Sequence, residues 1–295
     1  MLQARITAYA CFLLFCFLSS LRDVISELYF KAPESEVSPI YTLFVYSIVT
    51  QAIAALYVAI RRQPSALAHI RMMAFSKENI YINFFTLTAF LFYFLAIASP
   101  LGAAMNAFVD YGVGPTITAL VGAVIAKERL NKVFAYSAVC SSVGIIIFAA
   151  PRLQIAGLSI LWLGGIFLAL LSVVSTAIYR SYFKVLLNAG TDKAAIVLLR
   201  MSGLSIVLGA ILIFQPFLFS AQRFIETAAL GLIGFAFPLF LSLTILQNVT
   251  IRSFSMLLFL YPVLTYWGSA SVGLVKVYGS DLVSGRGDFH FDRAT

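Results

Sequence analysis

Runs of about twenty apolar residues, each closed by a charge or a proline, follow one another along nearly the whole chain. Read as helices, they fall near residues 5–23, 39–60, 80–98, 101–126, 132–150, 158–179, 194–215, 227–246 and 252–273. Runs of this length predict an all-α, polytopic transmembrane helix bundle, because a helix satisfies its own backbone N–H and C=O groups where lipid offers no partners. Ser99 and Pro100 leave so little chain between the third and fourth runs that they must form a tight hairpin. The first run, preceded by Arg5, has the outline of a signal peptide. Leu21 to Lys31 offers no small-residue cleavage site and keeps a helical pattern, so a retained first span is expected. The stretch 274–295 is too polar to span, which leaves nine expected spans and places the C-terminus on the outer side.

Composition sharpens this picture. Hydrophobic residues make up 61% of the 295 positions and charged residues 11%, well outside the range of a soluble domain. The net charge of +8 does not point to nucleic acid, because Lys and Arg gather at alternate ends of the runs, on the side of the N-terminus. By the positive-inside rule that side is cytoplasmic, giving a multi-pass protein of the inner (plasma) membrane. Cys11, Cys16 and Cys140 lie inside apolar runs at spacings that match no zinc or redox pattern. His69 and His290 fall in a loop and in the tail. With no zinc motif, phosphate-binding glycine loop or Ser/His/Asp set inside the runs, no metal, cofactor, enzymatic activity or ATP-driven pumping is expected.

Two charges fall inside the predicted spans, Asp110 and Arg200. At 1.5 Å per residue, Asp110 lies about 12 Å from the outer end of its helix and Arg200 about 9 Å from the inner end of its own. Within a core of about 30 Å that leaves roughly 9 Å along the membrane normal, a gap an Arg side chain can close. The pair is either a static buried salt bridge or a functional site, where Asp110 takes a proton or an amine and Arg200 takes a carboxylate. Gly112, Gly114 and Pro115 break the helix pattern beside Asp110, as a discontinuous site helix would; close packing through small residues is the plainer alternative. Pro238 and Pro262 are expected to make the corresponding bends in the second half. Asn106, Tyr111, Gln51 and Tyr93 are candidate hydrogen-bonding groups for a substrate, or ordinary interhelical bonds. Glu128, among Lys127, Arg129 and Lys132, reads as part of a solvated interface anchor, with a cytoplasmic gate as the second reading.

The second half echoes the first. LYFK at 28–31 returns as SYFK at 181–184, Gln63-Pro64 as Gln215-Pro216, and Pro115 as Pro262, at offsets of 153, 152 and 147. Residues 1–150 then form one five-helix unit, 151–273 a second unit of four, and 274–295 a polar tail. A unit of five spans places its copies upside down in the membrane, the arrangement by which many transporters expose one central site to either face.

In this order the features resemble the drug/metabolite transporter superfamily, specifically its EamA-type members with two five-helix repeats. The likeness rests on the helix count, the duplication, the mid-helix Pro115, and the end of the fourth span at Lys127-Glu128-Arg129-Leu130, similar to the family's glutamate-bearing end of that helix. Arg200, in LLRMSG, resembles an arginine near the start of the second helix of a repeat. Val275 and Lys276 stand about where the second repeat should carry the matching glutamate. Against the family's ten helices the tenth is missing here; the resemblance implies a secondary transporter, an exporter of amino-acid-like or amphiphilic metabolites working by alternating access, and the buried Asp110 is the candidate for proton coupling. Its partners are a small-molecule substrate and the lipid bilayer, with a homodimer left open. A flippase for lipid-linked substrates or a non-transporting membrane scaffold is the alternative.

Overall fold

A computed structural model describes residues 2–31, 38–61, 64–74, 76–127, 159–214, 220–251 and 260–272, together with 136, 143, 253, 254 and 258. The helices are α1 Leu2–Lys31, α2 Pro39–Arg61, α3 Pro64–Met73, α4 Lys77–Ala98, α5 Gly102–Gly112, α6 Gly114–Ile125, α7 Ile160–Asn188, α8 Lys193–Ile213, α9 Ala221–Gly231, α10 Phe237–Asn248 and α11 Leu260–Ser271. A π turn, Leu232–Ala236, joins α9 to α10. Seven segments are long and apolar enough to cross a membrane: Tyr9–Lys31, Pro39–Ile60, Lys77–Ala98, Gly102–Ile125, Ile160–Asn188, Lys193–Ile213 and Ala221–Asn248. The chain is an integral membrane protein. Of the expected span at 132–150 only residues 136 and 143 are described, and the tail from 274 lies outside the described residues. Several helix starts carry the side-chain cap their sequence promises: Ser76 accepts the Asn79 N–H, Ser159 that of Trp162, and Asp192 those of Ala194 and Ala195.

The run expected at 227–246 begins instead at Ala221, and two predicted C-terminal boundaries need correction. α1 runs on to Lys31 rather than stopping near 23, and α7 runs to Asn188 rather than 179. Arg22, Asp23 and Glu27, and likewise Arg180 and Lys184, are therefore inside helices and not in loops, so Asp110 and Arg200 are not the only charges within the bundle. The cause is visible on α1: Ser19, Asp23, Ser26 and Glu27 share the buried face, while Leu13, Phe17, Leu21 and Leu28 are exposed. The helix is amphipathic with its polar stripe turned inward, the reverse of the soluble case. The bundle repeats this inversion elsewhere. Leu56, Phe84, Val124, Phe167 and Ile206 stand on outer faces, whereas Ser47, Thr50, Thr86, Asn106 and Arg200 are buried.

The side-chain pairings give the helix directions. α4 and α7 are antiparallel: Tyr81 stacks on Tyr182, Thr88 donates to Ser175, Ser172 donates to the Ala89 carbonyl, and Gly165 lies against Ser99. α2 and α8 are antiparallel through Ser47 and Gln51 on Ser205, and Phe44 against Gly209. α1 is antiparallel to the α9–α10 segment, with Tyr29 reaching Glu226 and Arg22 packed on Gly234. By contrast α1 is parallel to α11, where Ser20 meets Thr265 and Val24 meets Gly268. The α5–α6 segment is parallel to α7, with Leu101 beside Gly165 and Gly114 beside Val173. Ile125 and Ile160 therefore lie at opposite ends of the bundle.

The helix breaks fall where glycine and proline predicted them. Val113 separates α5 from α6, between Gly112 and Gly114, and Pro115 occupies the first turn of α6, where its missing N–H costs nothing. The π turn immediately precedes Pro238, and the Phe237 N–H reaches back to the Leu232 carbonyl. Proline cannot donate and its ring crowds the carbonyl four residues earlier, so the widened turn absorbs the mismatch. Pro262 stands in the first turn of α11. At the other end of the bundle, Gly102 adopts φ +72° at the head of α5, close against Glu27. Glu27, held by Lys31, accepts the Ala103 N–H at 2.9 Å, so a carboxylate from α1 caps the positive end of α5.

Candidate functional site

Four of the charged residues inside the bundle, Arg22, Asp110, Arg180 and Arg200, line one cavity with about 640 Å³ of atom-free space, including its open mouth. Its wall comes from Phe15, Ser19 and Arg22 on α1; Ala89, Phe90 and Tyr93 on α4; Asp110 and Tyr111 on α5; and Ser172, Thr176, Tyr179, Arg180 and Phe183 on α7. Arg200 of α8, Phe235 of the π turn, and Pro238, Leu239, Ser242 and Leu246 of α10 complete it. Its lining has the character of a small-molecule site: largely apolar and aromatic, with a few fixed polar groups.

Three polar clusters meet there. In the first, Arg22 donates to Asp23 Oδ1 at 2.6 Å and 2.8 Å, while Asp23 Oδ2 accepts from Tyr261 at 2.5 Å and also from Tyr93. This carboxylate is fully buried and joins α1, α4 and α11 through one side chain. The Arg22 guanidinium also lies 5.5 to 5.8 Å from the rings of Tyr93, Phe94 and Phe235, within the range of cation–π attraction. In the second cluster, Asp110 is buried one turn before the break at Val113 and lines the cavity together with Arg180. Arg180 lies over the Phe254 ring at 5.4 Å, and Tyr111 stacks on Tyr261 with ring centroids 3.9 Å apart.

The third cluster is Arg200, 1% exposed. Its Nε donates to Thr86 Oγ1 at 3.0 Å, and its guanidinium carbon lies 4.2 to 4.9 Å from the rings of Tyr179, Phe183 and Phe90. Nη1 and Nη2 are buried and have no hydrogen-bond partner among the described residues.

The expected pairing of Asp110 with Arg200 is therefore not made, although both line the same cavity. The ion pairs among the described residues are Arg22–Asp23 and Lys31–Glu27. Of the other candidates, Tyr93, Tyr111 and Pro238 line the cavity, Gly112, Gly114 and Pro115 flank the break beside Asp110, and Pro262 follows Tyr261. Gln51 is committed to Ser205 in the α2–α8 seam. Asn106 is fully buried with both amide atoms unpaired, and it is not part of the cavity wall. Glu128 lies outside the described residues. Sequence reasoning missed Arg22, Asp23, Arg180 and Tyr179. The signal was present as polar residues at helical spacing from Ser19 to Glu27, which a loop has no reason to keep. Among the described residues no three His, Cys, Asp or Glu side chains converge as a metal site.

Fold and site together define a polytopic helical membrane protein built around a charged, aromatic-walled cavity. No protein-family model matches the chain, and no curated protein does. A solved structure described as "Crystal structure of protein" shares the fold, with a TM-score of 0.69 at 16% identity over 94% of this chain and 91% of the other.

Proposed function

We propose that this protein is a secondary transporter of small organic solutes, an exporter of the inner (plasma) membrane, working by alternating access between two inverted repeats. The observation that carries this reading is the cavity. Ionisable side chains are expensive within a membrane and persist where they serve a solute or ion pathway, and here one acid and three guanidiniums face a common space.

The helix pairings support the repeat. The sequence offsets relate α1 to α7, α2 to α8, α4 to the α9–α10 segment, and α5–α6 to α11. Under that relation the antiparallel contact of α4 with α7 becomes that of α10 with α1. The parallel contact of α6 with α7 becomes that of α11 with α1, and the α2–α8 seam maps onto itself. Two polar braces correspond in the same way: Glu27 and Lys31 at the head of α5, and Lys184 donating to the Leu246 and Val249 carbonyls beyond α10 at 2.6 and 2.9 Å. Counting 132–150 as the fifth span gives nine spans and units of opposite orientation, as in the EamA-type transporters the sequence resembles. Arg61, Lys77, Lys127 and Lys193 share one end of the bundle, which we take as cytoplasmic.

Asp110, poised beside a broken helix, is our candidate for proton coupling. Flux into proteoliposomes, with and without a proton gradient, tests the function. Wild-type flux should depend on the gradient and Asp110→Asn should lose that dependence. No flux for any metabolite class, with wild type and variant alike, would remove the transporter reading and leave a scaffold.

A further inference from the structure

We propose that the solute is an organic anion that presents an oxyanion group, a carboxylate or a phosphate, to the free edge of Arg200. This rests on the transport reading and specifies its substrate class.

The Nη1 and Nη2 atoms of Arg200 are buried and have no acceptor among the described residues. Leaving charged donors in that state is strongly unfavourable. The three surrounding rings interact with the cation as a whole and do not replace hydrogen-bond acceptors in the guanidinium plane. Thr86 on Nε fixes the orientation of that plane. What remains is a two-nitrogen fork, held beside the Tyr179 ring on a residue that lines the cavity, the geometry that binds carboxylate or phosphate through two parallel hydrogen bonds.

The carboxylates nearby do not pair with Arg200. Asp23 is bonded to Arg22 and two tyrosines, and Asp110 forms no ion pair with Arg200. With Arg22, Arg180 and Arg200 set against Asp23 and Asp110, the site carries one positive charge in excess. An anion removes that excess; a zwitterion or a cation does not. Phe90, Phe183, Phe235 and Leu239 line the same cavity, so the rest of the solute meets an apolar, aromatic wall.

The test uses the purified full-length chain in detergent and four probes of one shape: phenylacetate, phenyl phosphate, phenylacetamide and 2-phenylethylammonium, with binding read by calorimetry. At least one of the two anions should bind about tenfold or more tighter than the neutral amide, and the ammonium should bind more weakly still. Whichever anion binds more tightly identifies the oxyanion as carboxylate or phosphate. Arg200→Gln should weaken anion binding about ten- to hundredfold, and Arg200→Lys, which keeps the charge but not the fork, by about tenfold. Asp110→Asn should tighten it severalfold, because it removes a nearby negative charge. If Arg200→Gln does not fold, Arg200→Lys and Asp110→Asn carry the test with effects of opposite sign, which misfolding cannot imitate.

Amide or ammonium binding as tight as the anions, no binding of any probe, or anion binding unchanged in the Arg200 variants would overturn the proposal. Anion binding without flux in proteoliposomes would keep the anion site and remove the transporter. Flux of a neutral or cationic solute by a protein that binds neither anion would do the reverse.

Discussion

Asp23→Asn is the substitution that most directly probes how the buried polar network holds the bundle. In the native protein the Asp23 carboxylate accepts two bonds from Arg22 and one each from Tyr93 and Tyr261. Asparagine can still accept from a tyrosine, so the principal loss is the charge that compensates Arg22. Removing one partner of a buried ion pair costs about 3–5 kcal/mol, since the other charge stays behind unpaired. Arg22 keeps its aromatic neighbours at 5.5 to 5.8 Å, which offset about 0.5–2 kcal/mol, so the expected loss is about 3 kcal/mol. The assay is equilibrium unfolding in mixed micelles, arranged as a double-mutant cycle with Arg22→Gln. The double variant should be more stable than Asp23→Asn alone, because it leaves no orphaned charge. A loss below about 1 kcal/mol for Asp23→Asn, or single effects that simply add in the double variant, would refute the reasoning.

Other substitutions separate packing from site chemistry. A Cβ at Gly234 would stand 2.6 Å from the Arg22 Cβ, so Gly234→Ala should cost about 1–3 kcal/mol in the same assay, whereas Gly164→Ala, with nothing within 4 Å, should be neutral or slightly stabilising. Lys184→Met removes two charged bonds to the Leu246 and Val249 carbonyls and should lower stability by about 2–3 kcal/mol. Asn106→Leu replaces a fully buried amide that has no partner among the described residues and should be neutral or stabilising by about 1 kcal/mol; a large loss would refute that reading. Gln51→Leu should change stability by about 1 kcal/mol or less and leave flux unchanged, since Gln51 bonds Ser205 away from the cavity.

Much of the architecture was legible because the bilayer imposes a length on every crossing. Each of the seven membrane-length segments among the described residues falls on a predicted run. The breaks at Val113 and before Pro238 were legible too, because glycine and proline act locally. The site was legible only in part. Asp110 and Arg200 stand out against apolar neighbours, but Arg22, Asp23 and Arg180 lie near the ends of apolar runs, where a charge usually marks the water interface. A hydropathy reading stops there, and α1 and α7 continue past that point because their polar residues fall on one face and find partners inside.

The sequence by itself determined the class of molecule, a bundle of membrane-crossing helices, since hydropathy and span length are properties of single segments. It also carried the broken fourth span, which depends on residues adjacent in the chain. Only the tertiary structure decided which charges meet. Asp110 and Arg200 come from different helices, and whether they pair depends on how those helices are rotated and on which neighbours reach them first. Thr86 and three aromatic rings hold Arg200, and Asp110 forms no ion pair with it. Two guanidinium nitrogens of Arg200 are left without partners among the described residues because of long-range packing, which no spacing along one chain encodes.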